Sequence, residues 1–263
     1  MADDLLALAH QNLHEFAREM GRLSGGASVV EQGGMLFVAG PTEFPIGYSN
    51  AALRVDPGLP ATDTFEAADA FFGERGRGYT LITHAETDAD LAEVATARNQ
   101  KPIMEQPFMT IEHPLDELPG EAPDLRTVTD LAAARDLVDV TVQAYTELGM
   151  PAEETRALFA APARLLEPQV HAVVAYIEGR PASTAMIIWT HRAAGVYWVG
   201  TAPDGRKRGL GERCTQAVTN AAFERGAEVV ALEASPMGFP IYERMGYRTV
   251  GHTQWYLTST PGS

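Results

Sequence analysis

The sequence predicts an α+β fold on a mixed sheet, laid out in tandem with the first copy degraded. Three observations carry this. The second half alternates apolar strands with helices of period 3.6. The segment His113–Asp124, with three prolines and four acids, divides the 263 residues nearly in half and reads as a linker. The run Ala70–His84 echoes Ala222–Ala234, each a helix end, a glycine turn and an apolar strand.

In chain order, apolar residues at Leu5, Leu8, Leu13, Phe16, Ala17 and Met20 give an N-terminal amphipathic helix. Its acidic start does not suit a signal peptide, and no apolar run reaches membrane-spanning length, so a cytoplasmic location off the membrane is expected. Met35–Val38 and Asn50–Val55 read as strands, and a short helix is expected over about 88–99. The expected units are residues 1–113, a linker at 114–122, a second unit at 123–258 and a tail at 259–263.

In the second unit, Leu125–Val128 is a strand, Asp130 starts a helix running to about Leu148, and another covers about Ala152–Leu166. Strands follow at Val170–Ile177, Ala182–Thr190 and Gly195–Thr201. After a glycine-rich loop come a helix from Gly211, a strand at Glu228–Ser235, a helix around Tyr242 closing at Gly246, and a last strand.

Composition narrows the chemistry. At 45% hydrophobic and 21% charged, the chain is an ordinary globular protein. A formal charge of −15 argues against nucleic acid and mildly favours a cationic acceptor. A single cysteine, Cys214, excludes an internal disulfide and a thiolate cage, and its place on an apolar helix face suits a buried small hydrophobe. The seven histidines are read as scattered, so no metal site is expected.

The loop Ala202–Glu212 is the richest segment. Arg206, Lys207 and Arg208 precede Gly209, Leu210 and Gly211 just where a strand gives way to a helix, and Lys207 is one of two lysines in the chain. Free amides at a helix N-terminus, with the positive end of its dipole, bind anions, and arginines add charge-assisted hydrogen bonds. The loop is therefore suited to a pyrophosphate. It is neither a P-loop nor a Rossmann turn.

Val199–Gly211 resembles the R/Q-x-x-G-x-G/A motif of the GNAT superfamily of N-acetyltransferases, and Ser235–Tyr247 resembles that family's closing helix with its Tyr-Glu-x-x-Gly-aromatic pattern. The resemblance covers about residues 123–258. It implies the acyl-CoA N-acyltransferase fold, acetyl-CoA as co-substrate, and direct transfer of acetyl to a primary amine on a small molecule or peptide. Backbone at Val199 and Thr201 would pair with the pantetheine arm, amides from Arg206 through Lys207, Arg208, Gly209, Leu210 and Gly211 to Glu212 would hold the pyrophosphate, and Tyr242 would protonate the leaving thiolate. Ser235 stands where many members have Asn.

A phenol, with an ordinary pKa of about 10, stays protonated at neutral pH and can act as a general acid. The alternative for Tyr242 is a packing residue on an amphipathic helix. Family members often place a glutamate on the strand before the loop, but Val196–Val199 has none; Glu233 on the neighbouring strand is the candidate base, with a water relay as the other route. Trp189, Tyr197 and Trp198 read as sheet packing, one of them free to line an acceptor pocket. In the first half, residues 24–113 read as a degenerate GNAT-like copy or an unrelated α+β domain. The counterpart of the phosphate loop, Asp56–Asp63, has no basic residue or paired glycines, and Arg75–Gly78 precedes a strand instead of a helix. One catalytic site per chain is expected. A non-catalytic acyl-CoA sensor is the alternative function, and a homodimer is compatible with the sequence.

Overall fold

The computed structural model describes residues 2–259, so all but Ser259 of the expected tail lies outside the described residues. Seven helices and eleven strands are assigned among them. The first half contains α1 (Ala2–Leu23), β1 (Ser28–Gln32), β2 (Met35–Ala39), β3 (Asn50–Arg54), α2 (Ala61–Gly73), β4 (Tyr79–His84), α3 (Ala89–Ala97) and β5 (Met104–Ile111). The second contains β6 (Asp124–Thr127), α4 (Leu131–Thr146), α5 (Ala152–Leu158), β7 (Val170–Ile177), β8 (Arg180–Trp189), β9 (Ala193–Thr201), α6 (Leu210–Glu224), β10 (Val229–Glu233), α7 (Phe239–Met245) and β11 (Arg248–Thr258).

All eleven strands join one sheet in the order β1-β2-β3-β4-β11-β5-β10-β9-β8-β7-β6. The β3–β4 and β9–β10 pairs are parallel and the other neighbours antiparallel. The two halves are a structural repeat: β1-β2-β3-α2-β4-α3-β5 runs as β7-β8-β9-α6-β10-α7-β11 does. The sequence echo falls on the equivalent pairs, α2 with β4 and α6 with β10.

The last strands of the halves are exchanged. β5 leaves its own half to pair with β10, and β11 pairs with β4, while β5 and β11 lie side by side at the centre. This joins the two halves into one sheet without leaving an open edge at the seam.

The inner strands are buried at nearly every position, and successive side chains pack on opposite faces, as a sheet covered on both sides requires. Ala172 and Val174 pack with α1 and α4, and Leu36 and Val38 join them across the seam. Val173 and Ala175 pack on the other face with α6 and α7, and Phe37 with α2 and α3. Helix α1 therefore serves both halves.

One local difference from the sequence reading has a simple cause. The helix expected over Ala152–Leu166 stops at Leu158 and resumes as a 3-10 turn at Pro162–Leu166. Ala161 precedes a proline, which disfavours helical backbone there. Asp130 is confirmed at the start of α4, where its carboxylate accepts a hydrogen bond from the Ala133 amide at 2.9 Å.

Candidate functional site

The site begins where β9 and β10 part. They are paired only from Ala193/Val229 to Gly195/Ala231; beyond that the parallel strands splay. On its other edge β9 bulges. Thr184 faces Gly200 and Met186 faces Tyr197, so Trp198 and Val199 together oppose a single residue. Trp198 sits at φ +52°, a conformation that is costly for a bulky side chain and held only when the surroundings impose it. Here they do: Trp198 packs against Tyr145 and Phe159 at 4.7 and 5.1 Å between ring centres, and its indole N–H donates to the Met20 sulfur at 3.2 Å.

The splayed strand leads through Val199 and Thr201 into the basic loop. Lys207 and Gly209 both take left-handed backbone, at φ +62° and +71°, before α6 begins. The first helical hydrogen bond beyond the loop runs from the Arg213 amide to the Gly209 carbonyl, and no side chain caps this end. The amides of Leu210, Gly211 and Glu212 ahead of it have no helical acceptor. Gly211 permits the close approach of this turn to β9: a side chain there would begin 3.2 Å from the Thr201 hydroxyl. Thr201 and Ser183 share a 2.8 Å hydrogen bond that fixes the strand end.

Of the three basic residues, Arg206 lies 3.7 Å from Glu147, while Lys207 and Arg208 have no ion-pair partner among the described residues. Arg208, Gly209, Leu210, Glu212 and Arg213 line a groove of about 700 Å³ whose opposite wall is the linker, Leu118–Pro123. Arg213 pins that wall by donating to the Pro119 carbonyl at 2.6 Å.

Tyr242, on α7, is 8% exposed. Burial pushes its phenol up to about 12, so it keeps its proton across the neutral range. Tyr145 on α4 lies near both the candidate acid and the candidate base: burial, then the proximity of Tyr242 and of Glu233, raises its phenol. Ser235 is engaged in its own turn, accepting from the Gly238 amide at 3.1 Å.

Glu233 ends β10 on the α1 face. Its carboxylate turns inward against hydroxyl donors. The Tyr48 hydroxyl donates to one carboxylate oxygen at 2.9 Å and the Thr253 hydroxyl to the other at 2.6 Å. Burial raises Glu233 above the usual carboxylate range, and these hydroxyls draw it back. Cys214 is fully buried and its thiol is pushed up to about 12 by burial, which leaves it unreactive. Tyr197 packs in the sheet as expected, its ring stacked on Phe16 at 3.7 Å.

The histidine reading also needs correction, because His10 and His14 lie one helical turn apart on α1. They meet His84 of β4, with the His10 and His84 rings stacked at 3.5 Å. Burial lowers His10 and His14 to about 4 and His84 well below its ordinary value. Their rings pack as neutral groups.

The equivalent cleft of the first half is filled. Arg54, at the end of β3, donates to Asp88 at 2.6 Å, to Asp90 at 2.7 Å and to the Leu59 carbonyl at 3.1 Å. This ion-paired side chain ties the strand end to both the loop before α2 and the start of α3.

Residues 114–238 match a family model described as an acetyltransferase (GNAT) domain. Among solved structures, the chain is similar to a GCN5-related N-acetyltransferase from Kribbella flavida, at TM-score 0.68 and 20% identity, covering 95% of this chain and 96% of that one. A GCN5-related N-acetyltransferase from Sphaerobacter thermophilus gives 0.62 and 15%, covering 88% and 78%. A tandem GNAT protein from the clavulanic acid biosynthesis pathway gives 0.58 and 15%, covering 89% and 82%. No curated protein matches the chain.

Proposed function

We propose that the protein transfers an acetyl group from acetyl-CoA to a primary amine in a ternary complex; the match of residues 114–238 to a model described as an acetyltransferase (GNAT) domain, and the likeness in fold to a tandem GNAT protein, support this reading. The observation that carries this reading is the wedge between β9 and β10, which opens directly onto an uncapped helix N-terminus. An unpaired strand edge suits the amides of a pantetheine arm, and the turn with Lys207 and Arg208 suits a pyrophosphate.

In this reading residues 123–258 carry the chemistry. An alkyl ammonium has a pKa near 10, so the acceptor must lose a proton before its nitrogen can attack. Glu233 takes that proton, directly or through a water. Main-chain amides of β9 beyond the bulge polarise the thioester carbonyl oxygen. Tyr242 delivers its proton to the departing thiolate. The acidic surface favours a cationic small molecule or peptide as acceptor. The first half, its cleft tied shut by Arg54, binds no second acyl-CoA and shapes the seam beside Glu233.

A screen of amines for release of free thiol from acetyl-CoA tests the proposal. Release with at least one amine, lost in Tyr242→Phe, supports it. Tight CoA binding with no release across the panel would instead indicate an acyl-CoA sensor.

A further inference from the structure

We propose that Tyr48, on the first half, is a positioning residue for the second half's chemistry, holding the Glu233 carboxylate in place to accept the acceptor's proton; this rests on the reading of Glu233 as base.

The contact is built, not incidental. Tyr48 lies on a 3-10 turn, Gly47–Ser49, whose first residue takes φ +69° with the Trp255 ring so close that a side chain there would begin 3.1 Å from it. The Gly47 amide donates to the Thr80 hydroxyl at 3.0 Å, and that hydroxyl donates to the Pro45 carbonyl at 2.7 Å. The Tyr48 ring is set between Phe16 and Trp255, edge-on to both at 4.6 and 5.6 Å. Three elements thus fix a phenol that, among the described residues, hydrogen-bonds to the Glu233 carboxylate alone.

The carboxylate needs such a partner. Among the described residues no Lys, Arg or His lies within ion-pairing distance of Glu233. The titratable groups that face it are Tyr48 from the turn, Tyr197 from β9 and Tyr145 from α4, all phenols that burial keeps neutral. From β11 come Thr253 and the Trp255 indole, near but not bonded to it, and from α1 Phe16. Two hydroxyl donors, with the Trp255 indole close by, stabilise the charged form against burial. A carboxylate offers about four lone-pair sites, so two remain for an incoming ammonium or water.

Tyr48→Phe keeps the ring and its packing while removing the donor. Infrared titration of the carboxyl stretch in the full chain, assigned by subtracting the Glu233→Gln spectrum, reads the Glu233 pKa without any acceptor. The variant should raise it by about one unit, the scale of one hydrogen bond to a charged group. The acid limb of kcat/KM, read by thiol release from acetyl-CoA with the amine found by screening, should move up equally, with CoA affinity unchanged. An unmoved Glu233 pKa in Tyr48→Phe overturns the proposal even where Glu233→Gln is inactive. Wild-type turnover and pH profile in Glu233→Gln would instead remove Glu233 as base, and Tyr48's catalytic purpose with it.

Discussion

Tyr197 of β9 donates a hydrogen bond to Asn12 of α1 across 2.8 Å, in an interior where Asn12 is wholly buried. The Asn12 amide in turn donates to the Ile188 carbonyl at 2.9 Å and to the Thr190 hydroxyl at 3.1 Å. The first helix of the chain is thereby bonded into the sheet of the second half. Asn12→Ala would leave the buried Tyr197 phenol without its acceptor and strip the buried Ile188 carbonyl of its side-chain donor. A loss of about 3 kcal/mol is expected, summing roughly 1–3 kcal/mol for each stranded group. Urea denaturation followed by circular dichroism checks it, and a loss below 0.5 kcal/mol would show that α1 is not anchored this way.

Arg54→Leu tests the filled cleft of the first half. The guanidinium is nearly buried, whereas Asp88 and Asp90 retain contact with solvent at 14% and 50% exposure. Removing it should destabilise the fold by about 2–3 kcal/mol, below the range for a fully buried pair. Arg54 holds Asp90 below the usual carboxylate range, first through its hydrogen bond. That contribution is present above the unfolded pKa near 4 and is lost as pH falls through the lower folded value. The variant's stability should therefore change less between pH 5 and pH 2 than the parent's, while acetyl transfer at neutral pH stays within twofold.

Tyr242→Phe should lower kcat about 10²–10⁴-fold, the usual contribution of a positioned general acid, with the Kd for CoA unchanged. The buried phenol remains protonated up to about 12, so no basic limb assigned to it should appear between pH 7 and 10. Steady-state kinetics beside calorimetric CoA binding decides this. An unchanged kcat would leave Tyr242 as a packing residue against Tyr247.

The second half was legible because its information is local. Helix periodicity, the glycine after α6 and the basic loop before it are all short-range signals. The strands that escaped notice carry weaker ones: β1 is a half-exposed edge strand with only two valines, and β5 has Pro107 in its middle. Their partners could not be inferred, because the exchange of β5 and β11 sets residues more than a hundred positions apart side by side. Glu233 was found as a candidate, but its environment depends on Tyr48, which no spacing connects to it. The candidate phosphate loop needed only its own eleven residues, whereas the candidate base needed both halves.

Arg208→Ala should weaken acetyl-CoA through the pyrophosphate. Without a carboxylate partner among the described residues, the Arg208 guanidinium is placed to bond an anion at the groove beside α6. Losing one exposed charge-assisted hydrogen bond should raise KM for acetyl-CoA about tenfold, with kcat little changed. The penalty should shrink at high salt, because the lost interaction is screened. A proportional fall in kcat would place Arg208 in the chemical step instead.

The histidine cluster predicts where acid weakens the fold. His10 and His14 are lowered to about 4, chiefly by burial and then by neighbouring positive charge, and His84 further still. Both ring nitrogens of His84 are buried without a hydrogen-bond partner. The unfolded chain takes up these protons near pH 6.5 and the folded chain does not. The neutral cluster's contribution is therefore complete above about pH 6.5 and is lost as pH falls toward 4. The urea midpoint should drop across that window. His84→Phe keeps an aromatic ring against His10 and Phe108 while removing a titrating group and its two stranded nitrogens. Its midpoint should exceed the parent's at pH 5 by more than at pH 7.5. Parallel pH profiles for the two proteins would mean that the histidines titrate alike in the folded and unfolded states.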